Sequence, residues 1–422
     1  MGVYMNNNGN NEIPKNFNWS ILFIVSLSSI ITGGYRDGFA ALFPFLQRDF
    51  GLTRAQLGLH STFFFFTSAL IAIFTGRLVD LRGSKWGLVF GALFMGIFIL
   101  LHSLAPTFIV LLVLAAFTGF AVSINTPATN KSIVDWFPKK CQSTALGILS
   151  AAYPIGGMLS AIILPFLGAL IGWRKTICLP GALALLYAFY IMKFYQKKKE
   201  KKIILKKNNT NKVALWKNLS QLIINKNLLT VSALGFFLGA ISGSIAAHFT
   251  LFLYLDYGLN ENIAGLGFAI VQLGSIVGRA TWGIICDRLL GTNKRKTFLS
   301  IGLFFTFLSI ILGILKNYNP SVFMLFLLAF SIGYSGRGWQ GLFFAAISET
   351  VKKEQVGIAV GFSLLFLRLG IMLAPPIFGY IADLRETYDY SWLFLGLMMF
   401  CVSIVQYLFF IKIEKNMGEN NL

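Results

Sequence analysis

A chain of 422 residues that is 56% hydrophobic, carries 42 phenylalanines and is only 12% charged holds more continuous apolar sequence than a soluble core could bury, so it belongs in a membrane. Its formal net charge of +20 would suit nucleic acid, but if the apolar runs alternate across a bilayer, 26 of the 36 lysines and arginines fall in one set of loops, 6 in the other and 4 inside the runs. That asymmetry follows the positive-inside rule, argues against a nucleic-acid partner and places both termini in the cytoplasm.

In chain order, the polar start with NNNGNN at Asn6 to Asn11 leads into an apolar run too long and too interrupted for the core of a cleavable signal peptide. Twelve helices are expected, at 19–47, 54–75, 85–104, 106–131, 141–167, 173–194, 226–255, 260–285, 297–316, 320–348, 355–383 and 389–412. Several exceed the roughly 20 residues that span a bilayer, which predicts tilt or breaks at Gly and Pro. The Gly34/Gly38, Gly239/Gly243 and Gly274/Gly278 spacings let helices approach closely. After the second helix, GRLVDLRGSK gathers Arg77, Asp80, Arg82 and Lys85 in a short loop at a membrane surface. Trp173 and Arg174 read as an interfacial anchor before the sixth helix. The basic connection from Tyr195 to Lys226 is either a linker drawn to anionic lipid headgroups or a plain solvated tether, with room for a short surface helix near Trp216.

The second half echoes the first. GIICDRLLGTNKRK repeats the earlier loop, Gly283 standing for Gly76 and Asp287 for Asp80. ALGILSAAYPIGGML from Ala145 and AVGFSLLFLRLGIML from Ala359 match at a constant offset of 214, pairing Gly147 with Gly361 and Gly156 with Gly370. Two echoes in the same order imply two halves of one design. The expected fold is an all-α membrane protein whose twelve transmembrane helices form two pseudo-symmetric six-helix bundles. Its parts are an N-terminal tail at 1–18, bundles at 19–194 and 226–412, a basic cytoplasmic linker at 195–225 and a C-terminal tail at 413–422. Cys141, Cys178, Cys286 and Cys401 have no paired spacing and read as small hydrophobes, with no disulfide framework and no metal site. No nucleophile with its base and no phosphate-cradling Gly loop stands out, so neither an enzyme nor a cofactor is expected. The linker is too short for a nucleotide-binding domain.

Twelve spans in two halves, a long central loop and GRLVDLRGSK after the second helix resemble the major facilitator superfamily, whose loop signature reads G, x, L, x, D, R, x, G, R or K. Gly76, Leu78, Asp80, Gly83 and Lys85 match it, while Leu81 replaces the usual basic residue and Arg82 supplies that charge one position later. NTPATNKSIVDWFPKKCQSTALGI from Asn125, HFTLFLYLDYGLNENIAGLG from His248 and GRATWGIICDR from Gly278 further resemble the branch of oxalate:formate antiporters and monocarboxylate transporters. That resemblance implies a carboxylate contact at Arg279 and a second at Arg368. Ser275 stands where animal monocarboxylate carriers have an acid, so their proton-coupling mechanism does not transfer directly. It also implies that Gly76, Asp80, Arg82, Gly83, Gly283, Asp287 and Arg288 form a cytoplasmic clasp governing conformational exchange, and that the transporting unit is a monomer.

The residues themselves point the same way. Ionisable side chains cost several kcal/mol inside a bilayer unless they face a cavity or a partner. Arg36, Arg279, Arg337 and Arg368 lie well inside helices, yet Asp37 is the only deeply placed acid. The excess positive charge should attract an anion, and arginine holds carboxylates in a bidentate fork. At 1.5 Å rise per residue these arginines lie about 12 to 25 Å from the cytoplasmic edge, bracketing the midplane. Each has a plainer role open to it: Arg279 bracing a helix end, Arg36 paired with Asp37, Arg337 bonded to backbone exposed by its glycines. His248, near a helix middle, can carry a coupling proton or donate to a substrate oxygen, and can equally be a packing residue; Asp37 is the rival proton carrier. Asn125, Gln272, Tyr153 and Tyr334 are candidates to line the pocket.

The expected function is secondary active transport of a small organic anion, a mono- or dicarboxylate, across the cytoplasmic (inner) membrane by alternating access, with proton symport or anion exchange. The alternatives are export of a larger amphipathic compound and a transporter-like solute sensor. Partners are the anion, protons and membrane lipid.

Overall fold

The computed structural model describes residues 18–195, 225–352 and 355–419. The N-terminal tail, the basic linker with its expected surface helix, and the last residues of the C-terminal tail lie outside them. The described residues form helices α1 (Trp19–Ala41), α2 (Phe43–Phe50), α3 (Arg54–Leu70), α4 (Ala72–Arg82), α5 (Ser84–His102), α6 (Phe108–Trp136), α7 (Lys139–Ile171), α8 (Trp173–Thr176), α9 (Cys178–Phe194), α10 (Lys226–Tyr257), α11 (Glu261–Arg288), α12 (Lys294–Ile314), α13 (Val322–Arg337), α14 (Gln340–Glu349), α15 (Val356–Arg385) and α16 (Asp389–Glu419).

Local chemistry sets many of the ends. Thr53 and Gln56 close a capping box on α3, and Asn18, Asn225, Asn260, Asn293 and Ser321 cap helix N-termini through their side chains. Predicted single helices break where they meet a local obstacle. The first stops at Leu42, two residues before Pro44, and resumes as α2; the tenth breaks at Gly338 and Trp339 into α13 and α14. The second bends by 56° near Ile71.

The loop expected at Gly76–Lys85 is a correction. Gly76 to Arg82 are helical in α4 and Lys85 already belongs to α5, so the connection is Gly83 alone. It works because Gly83 takes φ 89°, a conformation that glycine adopts without strain.

Ten helical segments are long and apolar enough to cross a membrane, and the bent pair α3 and α4 makes an eleventh. Helix α1 is also long enough at 23 residues, but Arg36 and Asp37 dilute its apolarity; it packs along α7 as the twelfth. In the first half α1 packs on α7, α3 on α6 and α5 on α9; in the second, α10 packs on α15, α11 on α13 and α12 on α16. The two sets correspond one to one. The symmetry reaches single residues: a Cβ on Gly156 would overlap the carbonyl oxygen of Ile30, and a Cβ on its partner Gly370 that of Phe236.

The halves meet where α3 crosses α15 and where α7 crosses α11. One end is closed. There the Asp383 carboxylate accepts from the backbone N–H groups of Arg54 and Ala55, each at 2.9 Å, and the Arg54 guanidinium donates to the carbonyls of Ala382 and Glu386. Arg48 pairs with Glu261 across the same end. At the opposite end Asp80 is 74% exposed and reaches only Lys131 of its own half, at 3.9 Å, while Gly76 and Gly283 face open space.

Candidate functional site

Between the halves, α1 brings Arg36 and Asp37 against α3, α7, α11 and α13. Asp37 is fully buried, and one of its oxygens accepts from both Arg337 Nη2 at 2.8 Å and Gln272 Nε2. Its other oxygen lies 3.1 Å from Arg36 Nε. One carboxylate from the first half thus ties together two elements of the second. A bridge this buried is costly to form and more costly to leave half-made.

The guanidinium groups are held as planes. Arg36 lies over the rings of Phe65 at 5.0 Å and Tyr153 at 5.1 Å, and Arg337 over Phe268 at 5.7 Å. Such stacking fixes orientation and adds about 0.5–2 kcal/mol per contact. Arg279, one turn and a half along α11 from Gln272, reaches across to donate to the Ser150 carbonyl of α7 at 2.8 Å. Gly157 leaves room for the Asp37–Gln272 contact, since a Cβ there would run into both side chains.

Three guanidinium groups surround one carboxylate, leaving two positive charges uncompensated by an acid in the cluster. Two of the arginines also hold spare donors: Arg337 Nη1 and Arg279 Nε are buried without a hydrogen-bond acceptor, and Gln272 Oε1 is a buried acceptor without a donor. Buried polar groups are normally satisfied, so this concentration of spare capacity marks a place built to receive a charged, polar ligand. The arrangement suits a carboxylate accepting from guanidinium N–H groups, with hydroxyls for the amide.

The other predicted residues lie elsewhere. Asn125 bonds Ser28 and Thr32, fastening α6 to α1 inside the first half. Tyr334 accepts from Thr281 at 3.0 Å and stacks by Trp282, joining α13 to α11. His248 is fully buried, with Nε2 2.8 Å from the Pro375 carbonyl and Nδ1 3.1 Å from the Tyr388 hydroxyl, within the second half. A carbonyl only accepts, so Nε2 carries hydrogen and Nδ1 receives the tyrosine proton. Arg368 is half-buried on α15; among the described residues it makes no hydrogen bond or ion pair with the cluster. The loop residues Asp80, Arg82, Asp287 and Arg288 do not bridge the halves in this conformation: Arg82 lies over Trp86 of its own half, and Asp287 and Arg288 are exposed.

Sequence reasoning missed Phe65, Gly157, Ser150 and His60. For His60 a signal existed, because Leu57, His60, Phe64 and Ser68 form a buried stripe at helical spacing on α3.

Comparison with known proteins agrees with this architecture. The family model described as Major Facilitator Superfamily matches residues 25–289 and 231–421. The chain is 22% identical to the "Probable galactarate/D-glucarate transporter GudP" of Bacillus subtilis (strain 168), covering 90% of this chain and 88% of the relative. It is also 22% identical to the "Hexuronate transporter" of the same organism, over 89% of this chain and 90% of the relative. These relatives carry sugar-acid names, not the oxalate and short monocarboxylates of the branch likeness. A crystal structure of a bacterial homolog of the human lysosomal transporter Spinster, inward-facing and occupied, superposes with TM-score 0.77 at 16% identity, covering 96% of this chain and 98% of that one.

Proposed function

Because the chain belongs to the Major Facilitator Superfamily, we propose that it carries a small organic anion of the sugar-acid class across the membrane by alternating access. It is a transporter and not an enzyme. The spare donors on Arg279 and Arg337, beside an arginine excess at the contact of the two halves, are the observation that carries this reading. The sugar-acid names of the relatives support the substrate class, since a uronate or aldarate presents both a carboxylate for arginine and hydroxyls for Gln272 and Tyr153.

Arg279 and Arg337 take the substrate carboxylate from opposite sides, and Arg36, held by its aromatic sandwich, supplies the field. Asp37 keeps Arg36 and Arg337 in place until the anion arrives. A site between bundles that rock about it is bound from one side and released to the other. By the positive-inside rule the open end is cytoplasmic and both termini lie on that side. Arg368 faces the path on α15 as a second-line contact. Proton symport and anion exchange are both compatible with the cluster.

The test is uptake of labelled galacturonate, glucarate and lactate into proteoliposomes by wild type, Arg279→Ala and Arg337→Gln. Losing a charge-assisted hydrogen bond costs about 1.5–3 kcal/mol, or about 10- to 100-fold in half-saturation. Saturable sugar-acid uptake, weakened to that extent in both variants, is the expected result. Folded wild-type protein that takes up no acid would sink the reading.

A further inference from the structure

Three histidines are buried in the first or second half, and their surroundings differ in one respect. His248 has both ring nitrogens engaged, as described. His102 likewise faces the Phe98 carbonyl through Nδ1 at 2.7 Å and the Tyr35 hydroxyl through Nε2 at 3.1 Å. His60, only 5% exposed, stacks on Phe39 with ring centroids 4.1 Å apart, and its Nε2 has no hydrogen-bond partner. A buried, unpartnered imidazole nitrogen costs free energy unless something uses it.

That nitrogen belongs to the wall of a cavity of about 10 Å³, which Arg36 and Asp37 also line. A polar cavity of roughly 10–15 Å³ holds one water. The groups facing His60 can be named element by element: Tyr35, Arg36 and Asp37 from α1, and His102 from α5 at a centroid distance of 6.0 Å. Helices α10 and α15 contribute Gly243, Ala246 and Ile371, none of which ionises. Asp37 is therefore the one acid within reach.

We propose that His60 is the proton-loading residue of the transport cycle, exchanging a proton with Asp37 through a single water in this cavity. The proposal rests on the anion-transport reading and extends it to coupling. The imidazole takes a proton at Nε2 from water; the bridging water then passes a proton to an Asp37 oxygen while Nε2 gives one up, so one N–H bond breaks as one O–H bond forms. Protonated Asp37 loosens its hold on Arg36 and Arg337, which frees both for substrate. The geometry also supplies the gating. The cavity is walled by α1 and α3 on one side and α10 and α15 on the other, so it is closed only while that end of the molecule is closed. When the halves rock apart there, His60 meets the aqueous phase on the far side from the present opening.

The test compares wild type with His60→Gln in proteoliposomes through two readouts. One is exchange of labelled for unlabelled galacturonate without a gradient; the other is accumulation driven by a proton gradient. Exchange is expected to stay within about twofold, while accumulation falls by about tenfold and the pH dependence near neutrality flattens. Accumulation and pH profile like wild type would overturn the proposal and leave His60 a packing residue. If His60→Gln loses exchange as well, proton uptake on galacturonate binding to detergent-solubilised His60→Asn decides: uptake equal to wild type overturns the assignment, and its loss supports it. Wild type that neither exchanges nor accumulates any sugar acid would remove the transport reading itself, and this proposal with it.

Discussion

Asp37 shows why the arginine excess could be read from sequence while its geometry could not. Ionisable residues are rare in apolar helices, so Arg36, Asp37, Arg279 and Arg337 stood out by depth alone. That Asp37 meets Arg337, three hundred positions away, depends on how α13 crosses α1 between halves, which no local pattern encodes. Neutral polar residues were less legible: Gln272 joins the cluster, whereas Asn125 and Tyr334 serve packing, because an amide or phenol can be satisfied by a neighbouring helix as readily as by a ligand. The charge balance predicts the cost of altering it. Asp37→Asn leaves two buried guanidinium groups without their acid, a change worth about 3–5 kcal/mol. The thermal midpoint in detergent should fall by several degrees, and the double variant with Arg337→Gln should recover part of the loss. A single variant that melts with wild type would mean that Asp37 does not neutralise its neighbours.

Among elements, the pairing of α3 with α15 controls the closed end. Asp383, near the end of α15, acts as a cap for α3 from the other half, accepting from two N–H groups that the helix itself cannot satisfy. Arg54 returns the favour at the C-terminal end of α15, where carbonyls lack partners. The close approach that permits this needs Gly58, where a Cβ would collide with the backbone at Pro375 and Pro376. A lost cap costs about 0.5–2 kcal/mol, which shifts a two-state equilibrium by roughly 2- to 30-fold. Asp383→Ala should therefore open this end more often. A cysteine at Ser61, in the wall of the cavity, should react several-fold faster with an impermeant maleimide in that background, native thiols being removed. An unchanged rate would show that the cap does not hold the end shut. Helix lengths along these elements were legible from apolar runs, but the breaks were not: α4 continues beyond the apolar stretch because nothing before Gly83 stops it, and α13 ends at Gly338 within a run that stays apolar.

On the scale of the whole molecule, the two echoes at Gly76/Gly283 and Gly156/Gly370 revealed the architecture because a repeated fold must repeat its closest helix contacts. What they could not reveal is which end is closed, since symmetric halves sustain two arrangements of similar energy and the balance is set by cross-half contacts at either end. The closed end carries the Arg48–Glu261 and Arg54–Asp383 pairs; at the other end Asp80 keeps to its own half and Asp287 is exposed. In the alternate arrangement these two acids come to face the helix ends of the opposite half, where backbone N–H groups favour a negative charge. Removing both acids should disfavour that arrangement and leave the present one. Spin labels at the ends of α6 and α14 should report two distance populations in wild type during turnover and a single long one in Asp80→Asn/Asp287→Asn, with transport slowed about tenfold. Persistence of the short population in that variant would mean that other contacts close this end, and the loop acids would lose their part in the cycle.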